Sequence, residues 1–239
     1  MSHKKVYFVT TGLADELRVI KAVKPPRLLC SYWHFKNKPL SSLCEAIGYK
    51  PEIMLDSGAY SAYTRGKHVS LLAYMDYIKA NAEYITQYMA LDVIGDMVST
   101  QTFYDLMYAK GFRPIPVYHY GVGHSLIRHY LLTGAKTIAL GGTVPVKDKY
   151  KVAKWCDGLA QLYPGVAFHL LGSVSPKILT CGSLASCDSS AWYLQAINGR
   201  PKTIPGRGRE AKLARAKANM IDTMGVFNDF PIPNINSCG

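Results

Sequence analysis

Short apolar runs and amphipathic stretches alternate along the chain. Runs rich in β-branched and aromatic residues occupy 6–9, 28–33, 53–55, 84–91, 115–118, 137–140, 166–171 and 184–187, and their length predicts buried strands. Between them, 70–82 places Leu71, Leu72, Met75 and Ile78 at near-helical spacing. The segment 99–109 offers Ser99 as an N-cap ahead of Phe103, Leu106 and Met107, and Lys110-Gly111 supplies the stop. Residues 148–162 repeat the pattern with Val152, Trp155, Cys156 and Leu159. Strands separated by single helices require right-handed crossovers and a parallel sheet.

Polar residues at the strand ends decide between an open sheet and a closed one. An open doubly wound sheet concentrates its site at one switch point, usually after a glycine-rich phosphate loop, and neither Gly-x-Gly-x-x-Gly nor a Walker pattern occurs. Instead Asp56, Asp92, His119, Gly141-Gly142, His169 with Gly172, and Asp188 follow successive strands. That distribution describes the mouth of a (β/α)8 TIM-like barrel. With 239 residues, 49% of them hydrophobic, one compact domain over 1–239 is expected, with a basic segment at 200–217 on its rim.

Composition narrows the setting. No apolar run approaches the roughly 18 residues of a membrane span, and the Met-Ser-His-Lys-Lys start lacks a secretory signal, so a soluble cytoplasmic protein is expected. The six cysteines are scattered without a Cys-x-x-Cys pair, which predicts reduced thiols and neither a disulfide scaffold nor a zinc site. Cys187 reads as a small core residue despite its neighbour Asp188. The formal net charge is +12, which favours a polyanionic partner, with nucleic acid as the leading candidate. Arg200, Lys202, Arg207, Arg209, Lys212, Arg215 and Lys217 are offset only by Glu210. Lys212, Arg215 and Lys217 fit a solvated helix face as well as phosphate contact, whereas Arg207-Gly208-Arg209, after Pro205-Gly206, fits a flexible phosphate-gripping turn.

Three aspartates carry the candidate chemistry. Asp56, Asp92 and Asp188 each close an apolar run beside small residues. Any one of them could simply start a turn or cap a helix, but three at one end of a barrel point to a site.

The series Leu55-Asp56-Ser57-Gly58-Ala59-Tyr60, Met89-Ala90-Leu91-Asp92, Leu140-Gly141-Gly142, His169-Leu170-Leu171-Gly172 and Ser186-Cys187-Asp188 resembles the tRNA-guanine transglycosylase superfamily. The following Tyr60-Ser61-Ala62-Tyr63-Thr64-Arg65-Gly66 is similar to the short 7-deazaguanine DNA transglycosylases, many of them phage-encoded, which would place the protein in a host cytoplasm. The resemblance implies a pentosyltransferase that replaces guanine in DNA with a 7-deazaguanine base such as preQ0 through a covalent glycosyl-aspartate. It makes Asp188 the nucleophile, Asp56 the proton carrier and Asp92 the reader of the base edge. It places Ser57, Gly58, His119, Gly141, Gly142 and Gly172 around the base, and Arg65, Arg200, Lys202, Arg207 and Arg209 against the nucleic acid.

Two departures qualify what the resemblance implies. His119 stands where the tRNA enzymes carry glutamine, and it suits either a base carbonyl or a structural hydrogen bond. The zinc-binding insertion is missing, so no metal and no cofactor is expected, and DNA is favoured over tRNA as partner. Tyr60 and Tyr63 fit base stacking, His169 reads as a satisfied core histidine, and Asp96 as a helix cap. The rival readings are an RNA-directed transglycosylase, a non-catalytic nucleic-acid-binding barrel and a metal-dependent barrel hydrolase. The last of these lacks its usual early His-x-His. Residues 227–239 read as an irregular terminus.

Overall fold

A computed structural model describes residues 4–172 and 184–229 of the chain. Eight strands form one parallel sheet: β1 (Lys5–Thr10), β2 (Arg27–Ser31), β3 (Glu52–Asp56), β4 (Gln87–Tyr88), β5 (Val117–His119), β6 (Thr137–Gly141), β7 (Ala167–Leu170) and β8 (Leu184–Ser189). Their order is β4-β3-β2-β1-β8-β7-β6-β5, and the sheet curls until its two ends meet at a parallel bridge between Met89 and Ile115. The (β/α)8 barrel expected from the strand ends is the fold observed. The long run at 84–91 yields only a two-residue strand, because the backbone there is shared at the seam. Met89 N–H donates to Leu55 on one side, while Ala90 N–H donates to Ile115 and Ile115 N–H donates to Tyr88 on the other.

The helices follow the amphipathic stretches. Leu71–Ala80 (here α5) is capped by Ser70, whose hydroxyl accepts from Ala73 N–H at 3.4 Å. Lys149–Leu162 (α8) is capped by Asp148 and buries Val152, Cys156 and Leu159 against the sheet. Met97–Ala109 (α6) begins earlier than the Ser99 cap predicted, because Asp96 takes the capping role and accepts from Ser99 N–H at 3.0 Å. The last helix, Arg209–Asp229 (α10), runs through the start of the terminus predicted to be irregular and buries Phe227, whereas 230–239 lie outside the described residues.

Alternation along the strands separates two cores. Outward residues such as Phe8, Leu28, Ile53, Leu140 and Phe168 pack under the helices. Inward residues Tyr7, Leu29, Met54, Met89, Ile115, Val117 and Ala139 fill the barrel. Two positions further along the same strands, the inward side chains become Val9, Ser31, Asp56, His119 and Gly141, so the apolar plug ends and a polar layer begins at the C-terminal mouth. Strands β7 and β8 break this rule: His169 and Ser186 occupy inward positions one step below Leu171 and Asp188, and both are buried.

The turn after β3 is held against the turn after β2. Gly58 has φ +76°, and a Cβ there would stand 2.5 Å from Trp33 Cβ, 2.7 Å from Ser31 Oγ and 2.8 Å from Trp33 N. Only glycine allows both the left-handed backbone and the approach. Gly58→Ala is expected to cost about 2 kcal/mol or more in chemical denaturation, combining the αL penalty with displacement of backbone at Trp33. A melt within about 0.5 kcal/mol of wild type would show that the two turns tolerate separation.

Candidate active site

The polar layer opens into a cavity of about 780 Å³, a volume suited to a small molecule. Asp56, Asp92 and Asp188 line it together with His119, Gly141, Gly142, Gly172 and Arg65. A smaller cavity of about 380 Å³ at the opposite end of the barrel is lined by Arg113 and Lys136 but by no carboxylate, histidine or cysteine. The carboxylates and histidines that line these two cavities therefore gather at one mouth.

Each aspartate sits in a different environment. Asp56, at the end of β3, accepts from Gly58 N–H at 2.9 Å. Its acidity is weakened to a pKa of about 7, first by burial and then by the charges of Asp92 and Asp188, with Gly58 N–H and the Ser31 hydroxyl opposing the rise. Asp92 accepts from the Ser57 hydroxyl at 3.1 Å and lies 3.4 Å from His119 Nε2. Asp188 is buried, and Gly172 N–H reaches both of its oxygens, at 3.1 and 3.2 Å. His169 Nε2 is a further 3.2 Å neighbour of Asp188, and its Nδ1 lies 2.8 Å from Ser186 Oγ.

His169 is thus more than core filling. A carboxylate only accepts, so the ring carries a proton on Nε2 toward Asp188, and in that tautomer Nδ1 accepts a hydrogen bond from the Ser186 hydroxyl. Tyr7 packs edge-on against the same ring at 5.7 Å between centroids. The imidazole is fully buried, which matches the sequence expectation, yet its partner is one of the three strand-end aspartates.

The glycines of β6 serve a neighbour. A Cβ at Gly141 would lie 2.8 Å from His119 Cδ2 and 3.0 Å from Nε2, so this glycine makes room for the imidazole that pairs with Asp92. Ser57 is buried beneath the mouth and braces Asp92, while Gly58 shapes the turn; neither lines the cavity itself. Tyr60 lines the rim and is largely exposed, and Tyr63 is exposed as well. Cys187 faces outward into the helical core, where burial pushes its thiol far up.

Several lining residues carried little sequence signal. Thr11 and Glu16 follow β1, Ser31 ends β2, and His34 lies just beyond it. Glu16 is buried and accepts from the Thr10 hydroxyl at 2.9 Å and Thr11 N–H at 2.7 Å. The Thr10-Thr11-Gly12 break after the first apolar run was the visible cue.

Part of the basic segment is absorbed into the fold. Arg209 and Lys212 reach Asp15 of the first helix (α1, Ala14–Val23) at 2.7 and 2.5 Å, and together they strengthen the acidity of that carboxyl. Buried Arg215 donates its Nε to the Ile204 carbonyl at 2.9 Å. Neither Arg200, Lys202, Arg207 nor Arg209 lines the cavity. Among the described residues no three His, Cys, Asp or Glu side chains form a group able to hold a metal ion, and no helix is long and apolar enough to cross a membrane.

Comparison with known proteins gives the frame and corrects the family. No protein-family model matches the sequence, and no curated protein matches it. Among solved structures, the chain is similar to the YdjI aldolase of Escherichia coli K12, with TM-score 0.58, 13% identity, and coverage of 96% of this chain and 93% of that one. It is also similar to a candidate fructose-1,6-bisphosphate aldolase from Coccidioides immitis, with TM-score 0.53, 13% identity, and coverage of 96% and 92%. At this identity the likeness shows the barrel they share.

The expected transglycosylase family is not among these findings, and the expectation is overturned. With it go the pentosyltransferase activity, the 7-deazaguanine ligand, and DNA or tRNA as partner. The physical reason lies in the motifs. Asp, Gly and Ser at successive strand ends are what a parallel barrel places at its mouth for many chemistries, so their order reported the fold. The charge argument failed separately, because three of the cations counted toward a nucleic-acid surface are occupied within the protein.

Three outcomes follow from the site. Imidazole ¹⁵N NMR at neutral pH is expected to show His169 Nε2 protonated and Nδ1 as the acceptor, and the opposite tautomer would contradict the hydrogen-bond pattern. His169→Phe is expected to lose roughly 2–4 kcal/mol by leaving the Ser186 hydroxyl without its acceptor and Asp188 with the Gly172 N–H alone. For Asp56, the raised folded pKa means that the native state holds more protons than the unfolded chain between about 4 and about 7, so stability falls as pH rises through that window. Asp56→Asn removes this dependence, and its advantage over wild type is expected to be absent near pH 3 and to reach up to about 4 kcal/mol at pH 8. Parallel stability profiles for the two proteins would contradict it.

Proposed function

We propose that the chain is an enzyme that moves protons on a small carbonyl- or hydroxyl-bearing molecule held at the barrel mouth. The reaction class is proton abstraction next to a carbonyl, the step shared by enolisation and aldol-type carbon–carbon cleavage. The observation that carries this reading is Asp56: a carboxyl open to the cavity, whose protonation changes at about pH 7 because burial and two neighbouring carboxylates oppose its charge. A group that both takes and returns a proton near neutrality is what general acid–base catalysis requires.

The other side chains divide the remaining work. In enolisation, Asp56 takes the proton from carbon and the electron pair moves to the carbonyl oxygen. In aldol cleavage it takes the proton of the β-hydroxyl, the carbon–carbon bond breaks, and the same oxygen receives the charge. His119, for which Gly141 makes room and whose Nε2 lies 3.4 Å from Asp92, offers that N–H to the oxygen. Asp188, held by Gly172 N–H and His169, is a fixed acceptor that orients a substrate hydroxyl. Among the described residues no lysine lines the cavity, so proton transfer rather than imine formation is the chemistry these side chains offer. The names of the structural neighbours, both aldolases, agree with a carbon–carbon lyase.

The test is solvent exchange. In deuterated buffer, ¹H NMR of a panel of small ketoses, hydroxyketones and 2-oxo acids is expected to show loss of the α-proton signal or cleavage for at least one compound, with a rate that rises through about pH 7. Asp56→Asn is expected to slow that reaction by about 100-fold or more. Wild-type rates in this variant, or no exchange across the panel, would count against the proposal.

A further inference from the structure

The β2–β3 side of the cavity wall differs in charge from the aspartates. Arg65, which follows the short helix Ala59–Tyr63 (α4), and His34, in the short helix Tyr32–Phe35 (α2), both line it, and the two helices pack together. Gly58 permits that packing, since any side chain there would drive the α4 turn off Trp33. The Arg65 guanidinium is set by one hydrogen bond, from Nη1 to the Ser61 carbonyl at 2.7 Å, which leaves its other donors unassigned. Among the described residues neither Arg65 nor His34 has a carboxylate within ion-pair distance.

A buried polar atom on the same wall also has no well-formed hydrogen bond among the described residues. Ser31 lines the cavity at 6% exposure, and its hydroxyl makes no well-formed hydrogen bond, although it lies close enough to Asp56 to ease that group's charge. A buried hydroxyl without a well-formed hydrogen bond in a residue that lines a cavity is a place where a ligand can supply the missing partner. The acidic neighbour on this side, Glu16, is already engaged by Thr10 and Thr11 through three donors. Burial and the nearby Arg65 charge push the His34 pKa down, so the ring is a neutral donor at physiological pH and Arg65 supplies the charge.

We infer that Arg65 and His34 form an anion subsite for a phosphate group of the substrate, with the Ser31 hydroxyl contacting the uncharged part that leads from it to Asp56. A guanidinium fork and an imidazole N–H match the several acceptor oxygens of a phosphate better than they match a neutral group. The subsite lies outside the three aspartates, so the anion is kept from the carboxylates while the reacting end reaches them. The inference rests on the proposed acid–base reading for its account of the reacting end. The subsite itself is tested by binding alone.

The experiment is calorimetric titration of the full chain at pH 6.5 with inorganic phosphate, glycerol phosphate and glycerol. Phosphate and glycerol phosphate are expected to bind and glycerol not to. Arg65→Gln is expected to weaken both by about tenfold or more, and His34→Gln by a smaller factor. Arg207→Gln, a cation outside the cavity, is expected to leave binding within roughly twofold of wild type. Absence of phosphate binding, unchanged binding in Arg65→Gln, or an equal loss in Arg207→Gln would overturn the subsite. Asp56→Asn keeps Arg65 and His34, so retained phosphate binding with lost solvent exchange supports both readings. Retained binding with unchanged exchange rejects the acid–base reading alone.

Discussion

Strand periodicity inside a closed ring is the constraint from which the site derives. Every second side chain of a barrel strand points inward, and eight strands converge on a space that a few apolar side chains already fill. Whatever polar residue follows the plug on each strand must share the mouth with the others. Ser31, Asp56, His119 and Asp188 are brought together in this way, although they are far apart in the chain. The three aspartates in one cavity repel, and the fold answers with donors placed by its turns: Gly58 N–H for Asp56, Ser57 for Asp92, and Gly172 N–H with His169 for Asp188. The compensation is unequal. Asp56 remains the group for which neutrality competes with charge near pH 7.

Close backbone approach is the second requirement, and glycine meets it at two places. Gly58 seats the turn after β3 on Trp33, and Gly141 leaves space for the His119 ring. In both cases the absent side chain positions a neighbour's side chain. Likewise three cations of α10 act inside the protein. Arg209 and Lys212 fasten that helix to Asp15, and Arg215 holds the preceding loop by its carbonyls, so the final helix is tied to the first one beside β1.

The barrel and the three aspartates were legible because their signals are local. Apolar runs mark strands, and a polar residue at the end of a run marks the mouth. Asp96 could be read as a cap for the same reason. What escaped depends on which face a residue takes or what it meets across the sheet. His169 sits in an unbroken apolar run, so its inward direction and its bond to Asp188 require the register of β7 against β8. Ser31 closes β2 with nothing in its neighbourhood to distinguish it from a turn residue. Glu16 resembles any acidic first-turn residue of a helix until its place beside the mouth is seen. A count of cations in 200–217 gives no indication that Asp15, nearly two hundred residues away, pairs with two of them.

The same locality explains why an ordered set of motifs pointed to the wrong family. Leu-Asp-Ser-Gly, Leu-Gly-Gly and Cys-Asp-Ser satisfy requirements of the barrel itself: an apolar residue outward, a polar one inward, then small residues to turn the chain. Their order around the ring follows from chain order in a fold whose strands are adjacent in sequence, so five of them are less independent than five separate coincidences would be. Shape comparison at 13% identity carries the same limit from the other direction, since it recovers the ring and says nothing of what its mouth contains. Chemistry has to be argued from features the fold does not demand. A barrel does not require a histidine beneath its eighth-strand aspartate, a glycine cut away for an imidazole, or an arginine and a histidine on one wall that have no acidic partner among the described residues. These additions, rather than the strand-end aspartates alone, separate this mouth from the many that share its frame.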